Sequence, residues 1–469
     1  MLKKNDEFTA EVLETGCNGE GIVKIDGCPV FVPYALSGEI IKLKILKAKP
    51  SFAFGKLIEV LKPSDRRVSP VCPVFYKCGG CNLQHLDYDS QLRWKGESVC
   101  DCFKKIAGIS LDVPAAEGSE STFRYRNKLQ LPIRQTKNGV SIGFFREGTH
   151  DVINIADCPI QRKWVSDVIE VFHRYVKMTG ESCFNEETCR GNLKHAVVRE
   201  VSGIMLIVAV CVSGRLKNAE VLVSLLKEKF NEFSLFVNKN DLNNNVVMGR
   251  EFTLICGKEK VVSDEGGVKM PMGPESFMQV NDEVRKKIYS KVCELAGSGN
   301  STVIDAYSGA GFLTAQLAGN ADRVYGIECV AEAVDCADKL ARENGLDGKI
   351  TNVCGLCEDV LPDLIDKTTK QGDRVTVVLD PPRKGCDRAV TEALIKSRPD
   401  RIVYVSCNPS TLARDVGILT GKLEYVDSEL KKSAQTKELY SIEFIQPYDM
   451  FPQTKHVETI VCLSRTFDN

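Results

Sequence analysis

Apolar and polar residues switch at short intervals through the first sixty positions. The runs Phe8–Leu13, Gly21–Ile25, Val30–Pro33, Glu39–Leu46 and Lys56–Val60 read as short strands. Gly16, Asn18-Gly19, Asp26-Gly27 and Ser37-Gly38 mark the turns between them. Five short strands in so little chain predict a small closed barrel of the OB kind, an architecture that often takes oligonucleotides. Lys42, Lys44, Lys47 and Lys49 give it a basic edge suited to phosphates. Lys62-Pro63-Ser64-Asp65 reads as the exit linker.

The period then lengthens. Leu92, Val99, Phe103 and Ile106 fall at helical intervals and predict a helix over Tyr88–Gly108. Phe123–Ile133 returns to alternation, with Arg124, Arg126 and Lys128 on one face of the expected strand and Phe123, Tyr125 and Leu129 on the other. Cations beside aromatic rings suit a nucleic-acid groove, although a solvated strand face shows the same pattern. Strands at Ser141–Phe145, Leu193–Glu200 and Ile204–Val212 and a helix at Ala219–Phe230 complete an expected α+β domain with an antiparallel sheet. From Val280 helices and strands alternate, the signature of an α/β domain.

Composition narrows the class. With 469 residues, 43% hydrophobic and 27% charged, the chain is long enough for two to four cored domains. No apolar run approaches the ~20 residues of a membrane span, so no membrane partner is expected. The opening MLKKNDEFTA lacks the apolar core of a secretory signal, which predicts a cytoplasmic protein. Twenty scattered cysteines then read as reduced thiols with a few metal ligands. A net charge of −1 does not by itself announce a nucleic-acid binder.

Candidate chemistry collects where the β-rich runs stop. Thr302–Ala306 leads into Tyr307-Ser308-Gly309-Ala310-Gly311, a glycine turn that lets a cofactor approach the backbone. Glu328, 23 positions after Asp305, stands where nucleotide-binding sheets grip a ribose diol. Position 314 is Thr rather than the third glycine of the dinucleotide fingerprint, which disfavours a dehydrogenase. Val375–Leu379 ends at Asp380, and Ile402–Val405 ends at Ser406-Cys407-Asn408-Pro409, so a carboxylate and a thiol are expected in one pocket. Cys72, Cys78 and Cys81, with Gly79-Gly80 between the last two, suit a metal or cluster site, and Cys158 before Pro159 is the best fourth ligand. Spacing leaves zinc, with His85 as a possible ligand, and a [4Fe–4S] cluster both open.

SFMQVN at 276–281, DAYSGAG at 305–311, LDPPRKG at 379–385, SCNPSTLARD at 406–415 and HVETI at 456–460 together resemble the RNA uracil-C5 methyltransferases. The resemblance covers almost the whole chain and is strongest to the branch acting on 23S ribosomal RNA. Ser308 departs from it, since many relatives carry Cys there. It implies a TRAM-type barrel over 1–62, a central α+β iron–sulfur domain over 63–265 with the helix near 86–110 packed on the catalytic domain, and a Rossmann-like class I methyltransferase domain over 266–469. It further implies contacts of Gln279, Tyr307, Glu328 and Asp380 with S-adenosylmethionine, Cys407 as nucleophile and Glu458 as general base. Cys72, Cys78, Cys81 and Cys158 would hold a [4Fe–4S] cluster. The expected partner is RNA, ribosomal favoured over transfer, with a transfer-RNA uracil-C5 methyltransferase as the alternative, and no obligate protein partner is expected.

Overall fold

The computed structural model describes residues 2–137, 139–297, 301–370, 374–427, 429–433 and 438–466. The chain divides into two compact units. The first joins Met1–Val68, His85–Ser119 and Glu283–Asn469; the second joins Ser69–Gln84 and Glu120–Asp282. Among the described residues no helix is long and apolar enough to cross a membrane.

The first unit opens with a six-stranded barrel. Ile40–Ala48 pairs antiparallel with Glu7–Glu11 and Ala53–Lys62. Cys28–Val32 pairs antiparallel with Gly21–Ile25 and parallel with Ala53–Lys62. Alternation sends Val23, Val30, Val32, Ile41, Leu43 and Ile45 inward, where they form the core. The exit of the barrel is anchored by Glu39, which is fully buried and accepts two hydrogen bonds from Arg67 at 2.6 and 2.8 Å.

Helix Tyr88–Cys102 follows, capped by the Asp87 carboxylate on the Ser90 N–H. It runs on through a single π-helical turn, Phe103–Ala107, and stops at Gly108 with φ +68°. Val99 and Phe103 enter the same core as Ile304 and Leu379 of a second sheet and Leu412 of the helix Pro409–Leu419.

That sheet comprises β1 (Ser301–Ala306), β2 (Arg323–Glu328), β3 (Ile350–Cys354), β4 (Arg374–Leu379), β5 (Arg401–Ser406), β6 (Tyr440–Tyr448) and β7 (Glu458–Arg465). Their order is β3-β2-β1-β4-β5-β7-β6. The first five are parallel, and β7 inserts antiparallel between β5 and β6. Helices cover parallel strands on both faces, so the strands read as unbroken apolar runs such as Val375–Leu379. The order reverses beside β1, between the halves running to β3 and to β4, which is where open sheets bind ligands.

The second unit holds a seven-stranded sheet whose core is sealed by helices Val165–Thr179 and Ala219–Lys229. It is mixed rather than antiparallel: Ile204–Cys211 and Phe233–Lys239 run parallel because helix Ala219–Lys229 crosses between them. The expected strand over Phe123–Ile133 is also corrected. The strand is Lys128–Thr136, and Arg124 sits before it with φ +57°. The Arg124 guanidinium turns to Asp157 at 2.6 Å and to the carbonyls of Cys158 and Gln161. A row of three free cations therefore does not form.

Candidate active site

The glycine turn after β1 is built on backbone that few residues tolerate. After β1, Tyr307 takes φ +72°, Gly309 +54° and Gly311 +81°. The Tyr307 and Ser308 N–H groups donate to the Ile327 carbonyl at 3.1 and 2.9 Å, which ties the turn to the end of β2. A Cβ on Gly311 would lie 2.8 Å from that of Ala337, so glycine is required by space as well as by φ. Glu328 closes the arrangement: one carboxylate oxygen accepts from the Gly309 N–H at 3.1 Å and the other from the Val330 N–H at 2.9 Å.

Three strand ends bring acids together. Burial raises Asp305 to about 7 against a bond from Thr314, and the charges of Asp380 and Glu328 add to the rise. Thr314, the residue in place of a third glycine, is fully buried and donates to Asp305 at 2.6 Å. Carboxylates so crowded favour a cation beside them. Tyr307 packs against Cys386 and Cys357, and burial lifts its phenol well above the ordinary range.

The thiol stands at the other end of the crevice. Cys407 follows β5, where Asn408 caps helix Pro409–Leu419 by accepting from the Ser410 N–H at 3.1 Å. Pro409 fits the first helical position because its missing N–H would have no partner there. The same helix pins the Asp380–Gly385 loop after β4. Asn408 donates to the Arg383 carbonyl at 3.1 Å, and Arg414 donates to the Lys384 and Cys386 carbonyls at 3.1 Å each. Buried Asp415 accepts from the Cys386 N–H at 2.9 Å, the Tyr404 hydroxyl at 2.7 Å and Arg414 at 2.7 Å. Sequence reasoning gave these two residues no role, though they sit in the same motif as the thiol.

Cys407 is half-buried. Burial raises its thiol, the negative charges of Glu458 and Asp380 add to the rise, and Arg383 opposes it. Glu458, at the first position of β7, is 3% exposed. Burial lifts it to about 8, helped by Asp380 and opposed by Arg383. Burial also lifts Asp380, to about 6. Its surface is still partly open, so solvent offsets some of that rise. Thiol, two acids and one arginine thus act on one another electrostatically.

A cavity of about 250 Å³ opens on Cys407. Arg383, Trp94, Ser98, Cys102, Lys455 and His456 line it, and so do Cys17 and Asn18 from a barrel turn. Lys455 holds that turn by donating to Asn18 at 2.9 Å. Sequence reading took Asn18-Gly19 only as a hairpin turn, since nothing local ties it to a residue more than four hundred positions away.

Gln279 belongs to the second unit, where its carbonyl accepts from Asn127 at 3.1 Å. Cys72, Cys78, Cys81 and Cys158 also lie there. Burial first, and then mutual repulsion, push Cys81 to about 12, and burial carries Cys158 to about 11. Cys72 and Cys78 are raised mainly by burial. Among the described residues no group of three or more His, Cys, Asp or Glu side chains is gathered to hold a metal ion. His85 is not part of this set. It packs edge-on against Tyr34 in the first unit at 5.9 Å, and burial lowers it to about 3.

Comparison with known proteins bears on the same residues. The profile of the tRNA (Uracil-5-)-methyltransferase family matches residues 87–466, and that of the TRAM domain matches 2–58. Chains named uncharacterized RNA methyltransferase are similar over nearly their full length. One from Clostridium tetani is 38% identical, covering 99% of this chain and 97% of its own. One from Bacillus cereus is 38% identical, covering 99% and 98%. The crystal structure of Pyrococcus abyssi tRNA (uracil-54, C5)-methyltransferase in complex with S-adenosyl-L-homocysteine superimposes with a TM-score of 0.75 at 27% identity, covering 97% of this chain and 99% of that one. Strand order, the convergence on Cys407 and these matches agree: the chain is an RNA methyltransferase and belongs to the tRNA (uracil-5-)-methyltransferase family, with a TRAM domain at its N-terminus.

Proposed function

We propose that the enzyme transfers a methyl group from S-adenosylmethionine to C5 of a uridine in RNA through a covalent bond between Cys407 and C6 of the ring. The observation that carries this reading is the mutual influence of Cys407, Glu458, Asp380 and Arg383 at the ends of β4, β5 and β7. Uracil C5 has too little electron density to attack a sulfonium unaided. Bond formation between the Cys407 sulfur and C6 turns the ring into an enolate whose C5 takes the methyl group, and S-adenosylhomocysteine leaves. The Glu458 carboxylate then removes the C5 proton, the C5–C6 double bond re-forms and the sulfur departs. Arg383 and a bound sulfonium both favour the ionised forms of Cys407 and Glu458 that these steps need.

Glu328, set against the Gly309 N–H, suits the ribose hydroxyls of the donor. Asp380, Tyr307 and Gln279 complete the proposed contacts with it. The target base must leave its stack at a cost of a few kcal/mol, which the barrel wall of the cavity and phosphate contacts offset. The protein is placed in the cytoplasm, where such RNA is found.

By the motif resemblance Cys72, Cys78, Cys81 and Cys158 would hold a [4Fe–4S] cluster as thiolates; burial holds their thiols protonated in its absence, so binding the iron would release those protons. The cluster would have no redox step to supply here; its role would be to tie the loop at Ser69–Gln84 to the segment around Cys158.

The motif resemblance favours a uridine of 23S ribosomal RNA. Transfer RNA is the second reading, favoured by the named substrate of the Pyrococcus abyssi enzyme. Mapping 5-methyluridine in both RNA classes from cells with and without the gene separates the two. Cys407→Ala should abolish methylation while RNA binding survives, and RNA carrying 5-fluorouridine should be trapped on the Cys407 peptide. Residual methylation by the variant, or trapping on another residue, overturns the covalent mechanism.

A further inference from the structure

Lys95, on helix Tyr88–Cys102, is fully buried. Its ammonium donates to the equally buried Asp449 carboxylate at 2.5 Å and to the Phe451 carbonyl at 3.3 Å. Gln91 stands one helical turn earlier on the same face. Its amide forms a reciprocal pair with buried Gln453: Nε2 donates to the Gln453 side-chain oxygen at 3.0 Å, and Oε1 accepts from the Gln453 N–H at 3.1 Å. Gln453 takes φ +71°, a costly conformation for a residue with a Cβ, and the amide pair holds it there. One helix face thus grips residues 449–453, and all of these residues lie in the first unit.

Residues 449–457 join β6 to β7. Asp449 follows Tyr448, the register partner of Glu458, so the grip begins beside that acid. At the far end of the connection Lys455, His456 and Val457 line the Cys407 cavity, as Lys95 does, and Glu458 comes next. Stability alone does not call for this ion pair, because apolar residues of matching volume often replace a buried pair at no cost. What a charge-assisted bond adds is fixed geometry. We propose that Lys95 is a positioning residue for methyl transfer: through Asp449 and Phe451, with Gln91 on Gln453, it sets the 449–457 connection and thereby the approach of Glu458 to the C5 proton of the Cys407 adduct. This role rests on the reading of Glu458 as base and adds what holds it in line.

Lys95→Met alone strands a buried carboxylate and should lose stability. The test therefore uses the full-length double variant Lys95→Met/Asp449→Leu, which removes both charges, beside the wild type. Each is given total RNA from cells lacking the gene and S-adenosylmethionine labelled in its methyl group. After nuclease digestion and denaturing electrophoresis, label in free nucleosides reports product, and label on the protein reports methylated adduct that has kept its C5 proton. RNA from the same cells grown with 5-fluorouracil is the control, since fluorine at C5 blocks the last step and should leave label on both proteins. With ordinary RNA the double variant should melt within a few degrees of wild type, turn over roughly 10–100-fold more slowly, and retain label on the protein where wild type releases it. A defect of the fold alone lowers both labels together. Unchanged turnover, or slower turnover without label on the protein, overturns the role of Lys95. So does a double variant that melts far below wild type, because the pair then serves the fold. Absence of label on the wild-type protein with the fluorinated RNA would instead strike the covalent mechanism.

Discussion

Glu458 carries the most quantitative expectation. Its carboxyl is 3% exposed and rises from an ordinary value of 4.5 to about 8. That rise corresponds to on the order of 5 kcal/mol. The folded state holds the proton more tightly than the unfolded state. Its contribution to stability is therefore complete below pH ~4.5 and is lost as pH rises through ~8. Glu458→Gln has the shape of the protonated acid and does not titrate. The variant should match the wild type near pH ~5 and exceed it by roughly 4 kcal/mol near pH ~8, or on the order of 10 °C in the melting of the first unit. Asp305 and Asp380 titrate in both proteins, so their contributions largely cancel in the difference. Thermal scans of both proteins from about pH 5 to about pH 8.5, followed by circular dichroism, give the curve. A second reading comes from the neighbouring thiol. Above pH ~8, where the Glu458 carboxyl is ionised, removing its charge should let Cys407 ionise more easily and raise its alkylation rate, measured on its own peptide by mass spectrometry. Methyl transfer should be lost in the same variant. A stability difference that stays flat with pH, or a variant less stable than wild type at pH ~8, would refute the placement of a buried ionisable acid beside Cys407.

Two further perturbations probe the frame around the site. Gly311→Ala should destabilise by about 2–4 kcal/mol, combining the left-handed φ with the overlap on Ala337. Adding Ala337→Gly should recover only the steric share, and urea titration of the three variants checks this division. Asp415→Asn places an amide where an acceptor of three donors stood, so the Asp380–Gly385 loop should shift. A displacement of about 1 Å there predicts on the order of 100-fold lower kcat with RNA affinity retained. Full turnover would show that the loop is held by other means.

The sequence determined a good deal by itself. Unbroken apolar runs ending at Asp380 and Cys407 marked buried parallel strands, because only strands covered on both faces tolerate such runs. The glycine turn at Tyr307–Gly311 and the acid at Glu328 were legible, since backbone chirality and strand spacing constrain which residues can stand there. Only the tertiary structure decided the rest. Arg124 looked like part of a cationic row, but a positive φ and Asp157 take it away, while Lys128 faces Arg199 through a strand register that no local period encodes. Arg414 and Asp415 stood only as members of the SCNPSTLARD motif until the fold laid them against the loop after β4. Asn18 became part of the Cys407 cavity only when Lys455 reached it across the first unit. Local pattern reports which face of an element is buried; it does not report which distant element buries it, and the chemistry of this site lies in that second fact.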